Sequence, residues 1–152
     1  MKILFYYLLL LWMPFLCAAQ DVSALQKEAE RLEPVSEERA YLKYQEILNL
    51  QPENIAALCK SSELCTSIGR RQELKEKKIL YFKAARRYAE LALRINPNSS
   101  EANFVMSIAI GRMANVSSTK EKIAMAGDIK KYAELSIKCD PNNYKPYHVL
   151  AR

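Results

Sequence analysis

One phrase of eleven residues occurs twice in this chain, and it constrains the fold more than any other feature. "YAELALRINPN" at residues 88–98 returns as "YAELSIKCDPN" at residues 132–142. A fainter copy, "KYQEILNLQPE", contains Pro52, and the prolines of the three copies are 45 and 44 residues apart. A repeat of this size is typical of a solenoid, in which each unit buries its apolar face against its neighbours.

Each copy predicts the end of an amphipathic helix, a tight turn and the start of the next helix. Apolar or small side chains recur at intervals of three and four before each proline, which gives every helix one packing stripe. Proline then ends the helix, because it lacks an amide donor and disfavours helical geometry in the residue before it. The phrase is therefore a construction element of an all-α fold and not a catalytic signature. The three stripes are Ala40, Tyr44, Ile47 and Leu48; Ala85, Ala89, Ala92 and Leu93; and Ile129, Ala133, Ser136 and Ile137.

These units resemble the tetratricopeptide repeat, whose second helix reads Ala-x3-Tyr-x2-Ala-Leu-x3-Pro. Residues 40–52, "AYLKYQEILNLQP", fit that string with Ile47 in place of Ala, and residues 84–97 fit it with Ala89 in place of Tyr. The resemblance implies an antiparallel helix-pair solenoid, a TPR-like superhelix. The small residues that such repeats place at the helix crossing fall on Ser62, Ser107 and Ala151.

The units exceed the roughly 34 residues of that repeat. The surplus of 11 and 10 residues lies between the two helices of each unit, in residues 70–82 and 118–128, and we expect it to lengthen each second helix by about 15 Å. A longer repeat worded like "GRMANVSSTKEKIAMAGDIKKYAELSIKCDPNNYKPYHVLAR" is similar to the regulators of microtubule dynamics and to bacterial envelope relatives. That likeness covers roughly residues 54–152. It implies an all-helical interaction module and, for the eukaryotic members, an association with microtubules.

Residues 1–19 form a separate segment that we interpret as a signal peptide. An apolar run from Ile3 to Leu16 follows Met1-Lys2 and ends in the small residues before Gln20, which places cleavage after Ala19. We therefore expect an exported protein of the periplasm or cell envelope. The alternative is a membrane anchor, since 17 residues at 3–19 reach the lower limit of the roughly 17–25 that span a bilayer. Membrane contact is expected only if that segment stays uncleaved.

The remaining residues, 20–152, are predicted to form one TPR-like domain. Its units are about 21–52, 53–97 and 98–141, with a partial unit at 142–152. Val22, Leu25, Ala29 and Leu32 make a further stripe, which predicts a short first helix ending near Pro34. Because the chain stops inside a first helix, we expect a frayed C-terminus, a truncated gene or an unsequenced remainder.

Composition argues against several classes of function. The net charge is +6, but Lys and Arg alternate with Asp and Glu, so we expect solvated helix faces and no nucleic-acid partner. Cys59 and Cys65 lie six apart on one predicted helix, point to different faces, and are expected to pack as small core residues. The chain has no CxxC motif, and a lone His148 is a poor general base. We predict no metal, no cofactor, no small-molecule substrate and no enzymatic activity.

Binding is therefore the predicted function. In tetratricopeptide arrays the first helices line the concave surface, so the resemblance implies a groove there. Phe104 and Arg112 are the leading candidates, because aromatic and arginine side chains most often supply interface energy; Phe104 could alternatively pack against a neighbouring helix. The function predicted is an exported adaptor or scaffold that binds a protein or peptide. The alternative is a membrane-anchored scaffold, microtubule-associated if the source is eukaryotic. The other groove candidates are Glu63, Glu101, Ile108, Lys145 and His148.

Overall fold

The computed structural model describes residues 13–151, in which all the regular secondary structure is helical, and this confirms the all-α prediction. The first twelve residues of the predicted signal peptide, and Arg152, lie outside the description. The chain divides into two compact units with a boundary between Pro52 and Glu53. The helices are α1 (Met13–Leu32), α2 (Glu37–Leu50), α3 (Ile55–Arg71), α4 (Lys75–Ile95), α5 (Ser100–Ala114), α6 (Thr119–Cys139) and α7 (Tyr147–Leu150).

The unit that ends at Pro52 contains the helix pair α1–α2. The predicted end of the first helix near Pro34 is confirmed, since α1 ends at Leu32, but the helix is not short, because it begins at Met13 and has 20 residues. Ala29 on α1 is fully buried, as is Ala40 on α2. Tyr44 is 2% exposed, and its hydroxyl donates a hydrogen bond to Glu33 Oε1 at 2.6 Å. The predicted stripe of α2 therefore is the packing face of this pair.

The unit that begins at Glu53 contains the pairs α3–α4 and α5–α6, and α5 also packs on α3 and α4. The small residues predicted at the crossings are buried at Ser62 and Ser107, each with 0% exposure. Ser62 Oγ donates a 2.8 Å hydrogen bond to the carbonyl of Ala85 on α4, which joins the two helices of the first pair. The third predicted crossing residue, Ala151, is exposed because α7 has only four residues and ends one position before it.

The repeated phrase forms the same turn twice. The amide groups of Asn96 and Asp140 close the last turns of α4 and α6 by donating to the carbonyls of Ala92 and Ser136. Each side-chain Oδ1 then accepts a 3.0 Å hydrogen bond from the amide two residues later, across the proline. This Asx turn explains why Asn or Asp precedes proline in both copies. The phrase is a helix end and a turn, as its sequence predicts.

The predicted lengthening of the second helices is found, because α4 and α6 have 21 residues each against 17 in α3 and 15 in α5. The surplus of the first pair is nevertheless shared. Arg70 and Arg71 end α3, a short turn follows, and α4 starts at Lys75. In the second pair the surplus extends α6 alone, whose N-terminus is a capping box of Ser118 and Glu121.

The prediction that two cysteines pack in the core is confirmed. Cys59 and Cys65 are 2% and 1% exposed, and neither forms a disulfide bond within the described residues. Burial and the nearby carboxylates of Glu101 and Glu63 raise the pKa of the Cys59 thiol to about 12, so it stays protonated at neutral pH. These two residues behave as small hydrophobic side chains.

Candidate functional site

The seven side chains proposed from the sequence lie on three neighbouring elements of the unit that begins at Glu53. Glu63 is on α3, four others are on α5, and Lys145 and His148 belong to the last turn and to α7. Two hydrogen bonds of Asn143 hold the turn before α7 at the start of α5. Asn143 donates to Ser100 Oγ at 3.0 Å and accepts from the amide of Lys145 at 3.1 Å. Pro146 is buried beside it. The α5 residues are Glu101, Phe104, Ile108 and Arg112.

Lys145 is the centre of a charged cluster that joins three repeat units. Its Nζ lies 2.9 Å from Glu101 Oε1 and 3.5 Å from Glu63 Oε1. The same ammonium lies 5.5 Å from the ring centroid of Phe104, within the range of a cation–π contact. Glu101 and Lys145 are 44 residues apart and occupy equivalent positions of successive units. We call Glu63, Glu101, Phe104 and Lys145 the Lys145 cluster.

Burial and charge act against each other on the pKa values of this cluster. For Glu63 burial is the largest influence and raises the pKa, while Lys145 and Lys60 lower it, and the net shift is upward. For Lys145 burial lowers the pKa, but the hydrogen bond with Glu101 and the two carboxylate charges raise it by more in total. Both ends of the cluster therefore hold their protons more tightly than in water.

Beside the cluster, a groove of about 960 Å³ runs between α5, α6 and α7. We call it the C-terminal groove. Five of the seven predicted residues line it, and a smaller recess of about 250 Å³ between α3 and α5 adds Glu63. Glu101 lines neither cavity but holds Lys145 at the edge. The five groove residues are Phe104, Ile108, Arg112, Lys145 and His148.

A family model described as regulator of microtubule dynamics protein 1-3 matches residues 23–152, which is most of the chain. This chain belongs to that family. The match confirms the predicted resemblance to the regulators of microtubule dynamics. The search of curated proteins finds no match.

Sequence reasoning missed one wall of the groove in this regulator of microtubule dynamics family member. It assigned the groove to first helices, whereas α6, a second helix, supplies a full side. The signal was present in the repeat. Tyr88 and Tyr132 are 44 residues apart. The same repeat alignment makes Ala126, which is exposed, the equivalent of Phe82, which is buried. A small residue in place of a buried aromatic indicates open space. The α6 residues are Lys122, Ala126, Ile129, Lys130 and Glu134.

The groove brings charged, aromatic and apolar side chains together. His148 is exposed, and its ring lies edge-on to Tyr144 with the centroids 6.4 Å apart. Within residues 13–151, no group of three or more His, Cys, Asp and Glu side chains could hold a metal ion. No helix of that range is both long and apolar enough to cross a bilayer. Arginine, lysine and aromatic side chains around an apolar floor are suited to holding a polypeptide.

Proposed function

We propose that this family member is an exported adaptor or scaffold with TPR-like helix pairs, which binds a protein or peptide in its C-terminal groove. The observation that carries the proposal is the meeting of Phe104, Ile108 and Arg112 on one face of α5, directly opposite α6. An aromatic and an arginine at the centre of an apolar cleft are typical hot-spot residues. Catalysis is not part of the proposal, since the histidine is exposed and the buried Cys59 thiol is a poor nucleophile.

Capture of a partner by the full chain tests this function. A Phe104→Ala, Arg112→Ala double variant removes the two central side chains, and a Leu80→Ala, Lys83→Ala variant removes an exposed apolar and a basic side chain from α4 as a matched control. We expect a partner that the parent and the control capture from an envelope extract and that the double variant loses. Equal capture by all three proteins would contradict binding in the groove.

A second candidate function is association with microtubules, which the family match favours. Its direct test is co-sedimentation of the full chain with polymerised tubulin, using the same two variants. Binding that the double variant loses would make tubulin the partner of the groove. Binding that both variants retain would place the contact elsewhere on the protein. Absence of binding would refute the microtubule function and would not affect the adaptor proposal.

Export is the remaining part of the proposal. It is supported by the apolar run from Ile3 to Leu16 and by the small residues up to Ala19. The mass of the mature chain tests it, because cleavage after Ala19 removes residues 1–19. An intact N-terminus in a membrane fraction would instead support the anchored scaffold.

A further inference from the structure

We propose that the ligand of the C-terminal groove is an amphipathic helix of a partner protein, with acidic side chains on both sides of its apolar face. The inference rests on the proposed function and specifies the partner's chemistry. It follows from the length of the groove, its small-residue floor and the charges on its rim.

The walls of the groove have the dimensions of a short helix. The lining residues of α6 extend from Lys122 to Glu134, and those of α5 together with its C-cap extend from Phe104 to Asn115. At 1.5 Å per residue these stretches are about 18 Å and about 16 Å long. Both walls present residues at intervals of three and four, which are the ridges between which another helix packs. A partner helix of three turns, about 11 or 12 residues, fills this length.

The floor of the groove allows a close approach. Ser107, Gly111 and Ala126 are small residues that line it. A Cβ built on Gly111 would lie 3.9 Å from Ile129 Cδ1, an ordinary van der Waals contact, so the backbone of α5 is accessible here without crowding. Phe104, Ile129 and Val149 add larger apolar surface around that floor. An apolar helix face can therefore lie against α5 and α6 as a third helix.

The rim of the groove is basic. Arg112, Lys122, Lys130 and Lys145 line it, whereas Glu134 is the one acid among the described lining residues. Lys145 is already paired within its cluster. Lys130 contacts Glu134 at 3.7 Å, but both side chains are more than half exposed, so this pair is weak and easily exchanged. A ligand with carboxylates beside its apolar face matches this surface, and a basic ligand is disfavoured.

Fluorescence anisotropy with synthetic peptides tests the inference on the full chain. The probe is a labelled peptide of about 14 residues, with leucines spaced three and four apart and glutamates on both flanks. One comparison peptide carries lysine in place of glutamate, and another has the same composition in shuffled order. We expect binding of the acidic probe to exceed that of either comparison peptide by about tenfold or more.

Three variants locate the binding. Ala126→Phe fills the groove and should abolish it. Lys122→Glu with Lys130→Glu should weaken it about tenfold, with a steep dependence on salt. Lys77→Glu with Lys83→Glu makes the same charge change at exposed positions of α4 and should leave it unchanged. Circular dichroism of each variant confirms that the helices are intact.

Every other result overturns the inference. Equal binding of the shuffled peptide would remove the helical requirement, and preferred binding of the lysine peptide would reverse the charge assignment. Failure of all peptides, with a partner still captured through Phe104 and Arg112, would refute the acidic helix and keep the adaptor function. Loss of that capture as well would refute both the acidic helix and the adaptor function. Binding of phosphatidylserine vesicles that Ala126→Phe abolishes, without peptide binding, would reassign the groove to a lipid surface.

Discussion

The helix pairs α3–α4 and α5–α6 are built from the same repeated phrase, yet they differ at one equivalent place. A buried side chain fills the space between the helices in the first pair, which we call closed, and a groove lies there in the second pair, which we call open. In the first pair Phe82 is 3% exposed, and its ring lies against Gly69 of α3. At the equivalent place in the second pair, Ala126 is exposed and lines the C-terminal groove. The shared residues Ala89 and Ala133 are buried in both pairs, whereas the surplus residues contribute a buried side chain, Phe82, to the first pair only.

The two surplus segments also differ in burial. In α4 the surplus contributes Phe82 to the core, followed by the stripe from Ala85 onward. In α6 the buried residues are Ala133 and Ser136, and the first six residues of the helix are exposed, among them Ile123 at 72%. The extra turns of α4 therefore contribute to stability, while those of α6 form a wall that is free to contact another molecule.

The largest predicted effect comes from breaking the closed pair. Phe82→Ala removes a buried aromatic side chain and should lower the free energy of unfolding by about 3 to 5 kcal/mol. Ile123→Ala, the apolar truncation on the exposed part of α6, should change it by less than about 0.5 kcal/mol. Urea denaturation followed by circular dichroism measures both. A cost for Ile123→Ala similar to that for Phe82→Ala would show that α6 is covered in the folded protein.

The two helix pairs also differ in the space around one glycine of each, Gly69 on α3 and Gly127 on α6. A Cβ on Gly69 would lie 2.8 Å from both Phe82 Cε1 and Tyr81 Cβ, so Gly69→Ala forces α3 and α4 apart and should destabilise by about 1 to 3 kcal/mol. A Cβ on Gly127 meets nothing within 4 Å, so Gly127→Ala should stabilise by about 0.5 to 1 kcal/mol through helix propensity alone. Thermal unfolding of both variants checks the opposite signs. Stabilisation by Gly69→Ala would mean that the helices separate at little cost.

Part of the fold and of the site was predictable, because a repeated sequence shows which residues are shared by its units. The stripes with Ala89, Ala133 and Tyr44, and the turns at Asn96 and Asp140, were predictable because local periodicity and turn chemistry determine them. The contact between Lys145 and Glu63 was predictable only through the family resemblance, because it depends on how the first helices of successive units pack together. The α6 wall was not predicted, because its openness results from a missing volume at Ala126, and a single sequence shows such an absence only when its units are compared position by position.

A smaller effect is expected at the start of the open helix. Ser118 accepts from the amide of Glu121, and the Glu121 carboxylate accepts from the amide and hydroxyl of Ser118, which also lowers the pKa of Glu121. Ser118→Ala should cost about 1 kcal/mol of helix stability. Because the first turns of α6 are exposed, we expect the loss to appear as faster amide hydrogen exchange there, with little change at Ala133. Uniformly faster exchange along α6 would show that the helix opens as one unit.

The smallest effect concerns pH and Glu63, which occupies the position on α3 that Ile108 occupies on α5. Because burial raises the pKa of Glu63 above its ordinary 4.5, the folded protein holds this proton more tightly than the unfolded chain. The resulting stability is complete below pH 4.5 and is lost as the pH rises through the raised value. Lys145, whose pKa is also raised, keeps its contribution until the pH exceeds 10.5.

Glu63→Gln removes the titration of Glu63 and keeps the shape of its side chain. Between about pH 4 and about pH 7 the parent should therefore lose stability relative to this variant, by less than about 1 kcal/mol because the carboxylate is partly exposed. Urea unfolding at a series of pH values in this window measures the difference. A parent that instead gains stability relative to Glu63→Gln would show that attraction to Lys145 outweighs burial. The Lys145 cluster would then act as a clamp between α3, α5 and the turn before α7, and Lys145→Met should destabilise the protein more at pH 7 than at pH 4.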